Sequence, residues 1–245
     1  MATECTSAAM DLQAAGRRVI RADFNAGDIS SDGGVLLLKA ADERASILDQ
    51  FAACFRDHRD PNRIEHSVRE MVAQRAFGLA LGYEDLNDHD ELRLDPLIGA
   101  AVGKRAPGST LLAGSSTLNR LELTRVGEAA GHRYKRIELD DERIDDMFVN
   151  LFVQSFEKPP ESIVLDFDAT DDPLHGKQEG RFFHGYYGHY CYLPLYVFCG
   201  DHLLVARLRK ADIDGCAGTV EELERLVPAI RGWWPDVKIL VRGDS

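Results

Sequence analysis

Four aspartates fall within seven residues of the segment IVLDFDATDDPLHGKQ, residues 163–178. An apolar run leads into Asp166 and Asp168, and strand side chains alternate between faces, so both carboxylates are predicted on one face. Two ionised carboxylates in close proximity repel each other, and a buried strand keeps such a pair only when another charge offsets it. A divalent cation with oxygen ligands is the usual solution. The segment therefore indicates a metal site.

A further acid follows a second apolar run, KILVRG, and is Asp244. If the two strands lie side by side and parallel, their carboxyl ends share the crevice in which α/β sheets usually bind ligands. Asp168 and Asp244 would then hold Mg²⁺, with Asp166 as a weaker candidate ligand, in a site for phosphoryl transfer. The alternative is that these acids are turn and cap residues, which we favour for Asp171 and Asp172.

The loop after the acids is rich in aromatic residues: eight of the twenty in the chain lie in residues 182–198. One interpretation is a DNA-contacting loop, in which rings stack on unpaired bases while His175, Lys177 and Arg181 contact phosphates. The other is the core of a β-hairpin. For residues 175–189 both interpretations stay open.

Residues 190–198 are better explained as hairpin core. Tyr192, Tyr196 and Phe198 stand at alternating positions, as buried strand residues do. The histidines of the loop have no zinc-ligand spacing with any cysteine, which argues against a structural zinc site.

A change of period at Pro159-Pro160 predicts a helical region followed by a region with a sheet. Residues 1–22 are predicted to be disordered, residues 23–158 to form a helical domain whose arginines are candidates for DNA contact, and residues 159–245 to carry the sheet. The predicted strands are SIVLDFDA, YCYLPLYVFCG, DHLLVARLRK and DVKILVRGDS, with a turn at Gly200-Asp201 and a helix capped by Thr219 before the last strand. The predicted class is α/β with a mixed sheet.

Composition excludes several classes of protein. The chain has 245 residues, a net charge of −12 and five cysteines without a CxxC pair, which argues against a disulfide scaffold and suits a reducing cytosol. No apolar stretch is long enough for a membrane span, and no signal peptide is evident. Charge is uneven: residues 136–172 hold twelve acids, whereas residues 173–210 hold two acids, five basic residues and four histidines.

Two enzyme families share parts of this pattern. The DxDxT of IVLDFDATDD resembles the first motif of haloacid-dehalogenase-type phosphatases, in which Asp166 would be the nucleophile and Asp168 the general acid or base. The fit weakens after Thr170, because Asp171 and Asp172 stand where that motif has an apolar residue.

The second resemblance spans the chain from about residue 23 to its end. Five segments, in order, resemble bacterial insertion-sequence transposases of the IS1380 group: SSDGGVLLLKAADER, DHRDPNRIEHSVREMVAQRAFGLALGYEDLNDHDELRLDP, LAGSSTLNRLEL, LDFDATDDPLHGKQEGRFFHGYYGHYCYLPLYVF and VRGDS. The resemblance implies a DDE transposase with a ribonuclease-H-like core. It implies two Mg²⁺ or Mn²⁺ ions, double-stranded DNA with terminal inverted repeats as substrate, and a bacterial, cytoplasmic and nucleoid-associated protein, with a homodimer as a further option.

Residue by residue, the resemblance assigns the first catalytic acid to Asp168, in preference to Asp166, and the second to Asp244. The third acid, a glutamate on a later helix, has no counterpart, so the chain is expected to be truncated, with impaired strand transfer and an exposed sheet edge at residues 237–243. A non-catalytic DNA-binding remnant is the remaining alternative.

Overall fold

The computed structural model describes residues 10–16, 18–22, 32–104, 111–124, 127, 129 and 131–243. These residues fall into two units, Met1–Asp141 and Glu142–Ser245. Each unit has its own buried cluster of apolar side chains, and each is described by itself. Among the described residues, no helix combines the length and the hydrophobicity needed to cross a bilayer.

The first unit consists of short helices and two antiparallel strand pairs, β1 with β2 and β3 with β4. In chain order its elements are β1 (Met10–Ala15), β2 (Arg18–Ala22), α1 (Val35–Ala45), α2 (Ile47–Ala52), β3 (Phe55–Asp57), α3 (Val68–Ala80), α4 (His89–Leu92), α5 (Pro96–Val102), α6 (Ser115–Glu122) and β4 (Ile137–Leu139), with 3-10 turns at Pro61–Arg63 and Leu86–Asp88.

Helix α3 provides much of the buried surface of the first unit. Its N-cap is Ser67, whose hydroxyl accepts a hydrogen bond from the Glu70 backbone N–H, while the Glu70 carboxylate accepts one from the Ser67 backbone N–H at 2.8 Å. This capping box satisfies two donors that a helix start otherwise leaves unpaired. The helix buries Met71, Val72 and Phe77, as its periodicity predicts. Each such side chain contributes about 1.5–3 kcal/mol.

Disorder is predicted for residues 1–22, of which residues 1–9 and 17 lie outside the described residues. β1 and β2 form a hairpin in which Leu12 pairs with Ile20. Both side chains are partly buried against the core of the first unit, and Gly16 takes a positive φ of 66° at the turn. So short a hairpin is stable only with such packing, which the local sequence does not reveal.

The second unit carries the mixed sheet. Its elements are α7 (Asp141–Gln154), β5 (Ser162–Ala169), β6 (Asp172–Pro173), β7 (Phe182–His184), β8 (His189–Tyr192), β9 (Leu195–Cys199), β10 (His202–Arg207), α8 (Thr219–Trp233) and β11 (Lys238–Gly243). The main sheet has the order β10-β9-β5-β11, and only β11 pairs in parallel. The predicted mixed α/β class is confirmed.

Helix α7 belongs to the second unit, although the sequence predicts a boundary after residue 158. Its buried Val149 and Phe152 join Leu165 of β5 in one apolar cluster. Periodicity predicts that this helix is amphipathic, but it does not indicate which of two cores receives the apolar face.

The segment YCYLPLYVFCG forms two strands in place of the one predicted. β8 joins β6 and β7 in a small three-stranded sheet, whereas β9 joins the main sheet. Leu193 and Pro194 lie between them, and a proline has no N–H to donate to a strand ladder. The ladder is therefore interrupted at this point.

The predicted burial of Tyr192, Tyr196 and Phe198 is wrong, because all three are only partly buried. The buried face of β9 consists of the other alternate residues, namely Leu195, Val197 and Cys199. Both faces of this segment are apolar in sequence, so alternation alone does not decide which face points to the core. As a result, Tyr196 and Phe198 lie on the same side of the sheet as Asp166 and Asp168, with which they pair.

Helix α8 crosses from β10 to β11 and buries Leu226 and Ile230. Thr219, the predicted cap, is instead the first helical residue. Gly218 occupies the N-cap position with a φ of 85°, a conformation that favours glycine.

Strand β11 forms an exposed edge of the main sheet, in agreement with the prediction for residues 237–243. The side chains of Leu240 and Val241 are 57% and 52% exposed. Backbone groups along such an edge are able to pair with another strand, so association through β11 stays a prediction.

Candidate active site

Strand β5 carries the two acids that the sequence indicates. Its side chains alternate as predicted: Ile163, Leu165 and Phe167 are buried, whereas Asp166 and Asp168 lie on the opposite, more exposed face. The strand is flanked by β9 and β11. Both carboxylates therefore stand on the open face of a central strand, where water weakens their mutual repulsion.

Asp166 is neutralised by Arg242. The two residues are direct neighbours in the parallel ladder between β5 and β11. Arg242 Nε donates a hydrogen bond to Asp166 Oδ1 at 2.9 Å, and Arg242 Nη2 donates to Oδ2. This bidentate contact lowers the pKa of the Asp166 carboxyl. A guanidinium thus offsets the charge of Asp166, which makes it the weaker candidate metal ligand.

Asp168 presents a carboxylate that is open to solvent. Its side chain is exposed, and its neighbour in the β5–β9 ladder is Tyr196. Within the described ranges, no group forms a hydrogen bond or an ion pair with this carboxylate. A ligand could therefore bind its oxygens without displacing any of the described residues.

Asp244 lies outside the described residues, so its placement stays a prediction. The backbone leading to it is described: β11 runs parallel to β5, and Gly243 pairs with Phe167. In the sequence, these two residues immediately precede Asp244 and Asp168.

The two acids after β5 are not simple turn residues. Asp171 Oδ2 lies 2.7 Å from Nε2 of His189, an ion pair when the imidazole is protonated. Asp172 begins β6 and pairs with Tyr192 of β8. The predicted turn therefore contains the short strand β6, which begins at Asp172. The residue before it, Asp171, contacts β8 through His189.

The three residues predicted to contact DNA lie on the loop between β6 and β7. His175 and Lys177 are exposed. The guanidinium carbon of Arg181 lies 4.5 Å from the ring centroid of Tyr190, and Arg181 also donates a hydrogen bond to the Gly176 carbonyl. The structure therefore holds Arg181 over an aromatic ring and leaves the other two side chains at the surface.

A complete metal site is not formed by the residues that the structure describes. Among them, no group of three or more His, Cys, Asp or Glu side chains is suitably placed to hold an ion. Hard divalent cations prefer carboxylate oxygens, and Asp168 offers two of them that have no partner among the described residues. The donor chemistry of Asp168 fits such an ion, and that of Asp166 fits it less well.

The family of the chain is decided by a match over nearly its whole length. Residues 12–245 match the family model of the transposase DDE domain, group 1. The chain belongs to this family. No curated protein matches it, and no solved structure matches it either.

For this transposase, nothing in the described residues favours the phosphatase alternative. A nucleophilic Asp166 needs a free carboxylate oxygen, and both of its oxygens accept hydrogen bonds from Arg242. Transposases cut and join DNA, and the open carboxylate of Asp168 suits that chemistry better.

Sequence reasoning missed two residues that contact acids of the candidate site, Arg242 beside Asp166 and His189 beside Asp171. Arg242 stands two residues before Asp244, as Asp166 stands two residues before Asp168. This equal spacing predicts the ion pair once the parallel register is known. No comparable signal exists for His189, whose contact with Asp171 depends on how β8 folds back.

Proposed function

We propose that this transposase cuts and joins DNA at the terminal inverted repeats of an insertion sequence of the IS1380 group, with Asp168 and Asp244 as its catalytic carboxylates. The observation that carries the proposal is the register of β5 and β11, in which Phe167 pairs with Gly243 in parallel. Neighbouring parallel strands open into a common crevice at their carboxyl ends, which supports a shared site for the two following acids.

The second unit is proposed to be part of a ribonuclease-H-like core. Three antiparallel strands, β10, β9 and β5, are followed by helix α8 and the parallel strand β11, which supports this assignment. Helices α7 and α8 contribute Phe152 and Ile230 to the same apolar cluster as the buried face of β5.

The proposed reaction is in-line displacement at phosphorus by water or a 3′-hydroxyl. Two Mg²⁺ or Mn²⁺ ions, when bound, supply stabilisation of the charge that develops on the attacking and leaving oxygens. Asp168 contributes carboxylate oxygens to which no group in the described part of the chain is bonded. Asp166 acts indirectly: its pair with Arg242 fixes β11 against β5 and so positions the ends of both strands.

DNA binding is proposed to involve His175, Lys177 and Arg181, which would contact phosphates of double-stranded DNA. Their loop has a more basic balance than the chain as a whole, whose net charge is −12. A homodimer is proposed as the working assembly. A phosphate-contacting role predicts that substitution of Lys177 by glutamine reduces the salt dependence of DNA binding.

The decisive experiment is a Mn²⁺ titration followed by electron paramagnetic resonance, because residues 1–245 provide no assigned third acid and cleavage alone is an ambiguous readout. We expect Asp168→Asn and Asp244→Asn each to weaken Mn²⁺ binding. Asp172→Asn is the matched control, since it removes an exposed carboxylate from the same segment and is expected to bind as the native chain does.

Cleavage of inverted-repeat DNA then separates the alternatives. Mg²⁺-dependent nicking that both Asp168→Asn and Asp244→Asn abolish supports the transposase site. DNA binding without Mn²⁺ binding or cleavage would identify a non-catalytic remnant. Turnover of a small phosphomonoester, lost in Asp166→Asn, would identify the phosphatase chemistry instead.

A further inference from the structure

The hairpin of β7 and β8 carries two neighbouring exposed rings on its outer face. Phe183 pairs with Tyr190 across the two strands, on the face opposite the fully buried Cys191. Their side chains are 50% and 44% exposed, and their ring centroids lie 5.5 Å apart at an interplanar angle of 76°. Tyr186 in the connecting turn is 87% exposed.

A cation completes this face. The guanidinium of Arg181 lies 4.5 Å from the ring centroid of Tyr190, so a planar charged group continues the row of rings. In a chain whose net charge is −12, this guanidinium lies among the exposed rings. Exposed rings with a guanidinium beside them match a ligand that is both flat and anionic.

The hairpin is attached to the end of the strand that carries Asp168. β6 follows β5 directly and pairs with β8, and Asp171 contacts His189 of β8. The hairpin is therefore held against the short segment that directly follows Asp168.

We propose that the outer face of this hairpin, formed by Arg181, Phe183 and Tyr190 with Tyr186 at its turn, stacks unpaired DNA bases beside the phosphate that is cut. Every base has a flat π-face, and aromatic residues bind bases by stacking with little dependence on sequence. Arg181 adds a contact to the phosphate or to the base plane. This inference rests on the proposed function, since it names the form of DNA that the same site receives.

Melted DNA is the occupant favoured over intact duplex. Stacking on Phe183 and Tyr190 requires an accessible base face, and paired bases in a helix cover their faces with their neighbours. The hairpin would hold one or two nucleotides after the strands separate, which keeps the cut phosphate close to Asp168.

The test compares a labelled single strand of about 16 nucleotides with its duplex, by fluorescence anisotropy in EDTA. Phe183→Ala and Tyr190→Ala are each expected to weaken single-strand binding by roughly 5- to 150-fold, the loss of one stacked base, with a smaller effect on duplex. Tyr190→Phe keeps the ring and is expected to bind normally. Trp233→Ala is the control, because it removes an equally exposed ring, 57% exposed, from helix α8.

A second readout detects stacking itself. The fluorescence of 2-aminopurine in the single strand is quenched when the base stacks, and this quenching is expected to be lost in Phe183→Ala and Tyr190→Ala. Unchanged affinity and quenching in both variants would overturn the proposal. Equal weakening for duplex and single strand would also overturn it, because that result describes a phosphate-binding surface. Loss of self-association without loss of DNA binding would identify an interface between two copies.

The two proposals fail in different ways. Single-strand binding by the Asp168→Asn variant in EDTA requires neither metal nor cleavage, so it reports base stacking on the hairpin alone. Normal stacking with no Mn²⁺ binding would remove the proposed catalytic site and leave the stacking surface intact.

Discussion

Arg207 links three elements of the second unit through a network of two arginines and two acids. Arg207 of β10 donates from Nε to Oε1 of Glu222 on α8 at 2.6 Å, and from Nη2 to Asp145 on α7. Arg225 of α8 also donates to Glu222, at 2.9 Å. Burial alone would raise the pKa of Glu222, but hydrogen bonds from both arginines outweigh it and lower the pKa. Replacement of Arg207 would leave two nearly buried carboxylates with one cation.

The expected loss follows from these contacts. Removing one partner of a buried ion pair lowers the free energy of unfolding by about 3–5 kcal/mol. In Arg207→Met, Arg225 still neutralises part of the acid charge, and the Arg207 side chain is 30% exposed, so we expect a loss of about 2–4 kcal/mol. With a urea dependence of about 2 kcal/mol per molar, the unfolding midpoint should fall by roughly 1–2 M.

Tryptophan fluorescence is a selective assay for this unit, because the only two tryptophans, Trp233 and Trp234, belong to it. Arg231→Met is the matched control: it removes the same charge from an exposed position on α8, the helix that carries Glu222, and its midpoint should move little. Because the pKa of Glu222 is lowered in the folded state, the network stabilises the fold above about pH 4.5 and loses its effect as the pH falls further. Equal midpoints for the two variants at pH 7 would refute the reasoning.

Three further predictions concern the first unit and are measured by circular dichroism during unfolding. Burial lowers the pKa of His89 in the folded protein. The contribution of neutral His89 to stability is therefore complete above about pH 6.5 and is lost as the pH falls through the pKa of the folded state. His89→Gln should flatten this dependence of stability on pH. Gly78→Ala should destabilise by about 1–3 kcal/mol, because the added Cβ would lie 2.7 Å from Cε1 of His89. Ser67→Ala should cost about 0.5–2 kcal/mol through loss of the capping box.

Each of these predictions has an internal check. Gly99→Ala, where nothing lies within 4 Å of the added Cβ, should stabilise helix α5 by about 0.5–1 kcal/mol, the opposite sign to Gly78→Ala. For the cap, Ser67→Asp should retain most of the stability, since aspartate caps equally well. If His89→Gln keeps the native dependence of stability on pH, another group causes that dependence. His66 is the first group to test, because burial lowers its pKa as well.

The sequence by itself determined the features that depend on local repetition. An alternation of apolar and polar residues in β5 fixed which of its side chains are buried, and so placed Asp166 and Asp168 together on one face. The change of period after Pro160 likewise marked where the main sheet begins, because helices and strands impose different spacings on buried side chains. The spacing of the acids from the strand ends also suggested the parallel pair of β5 and β11, which the structure contains.

Only the tertiary structure decided the choices between partners. Asp166 meets Arg242 across 76 positions of sequence, and the apolar face of α7 packs on the second core although its sequence suits either. The buried face of β9 is the one opposite to the prediction. Both faces of this strand are apolar, so packing against neighbouring elements determines which face is buried. Local sequence limits the conformation of each segment, whereas the identity of its neighbours depends on which distant surfaces fit together when the chain folds.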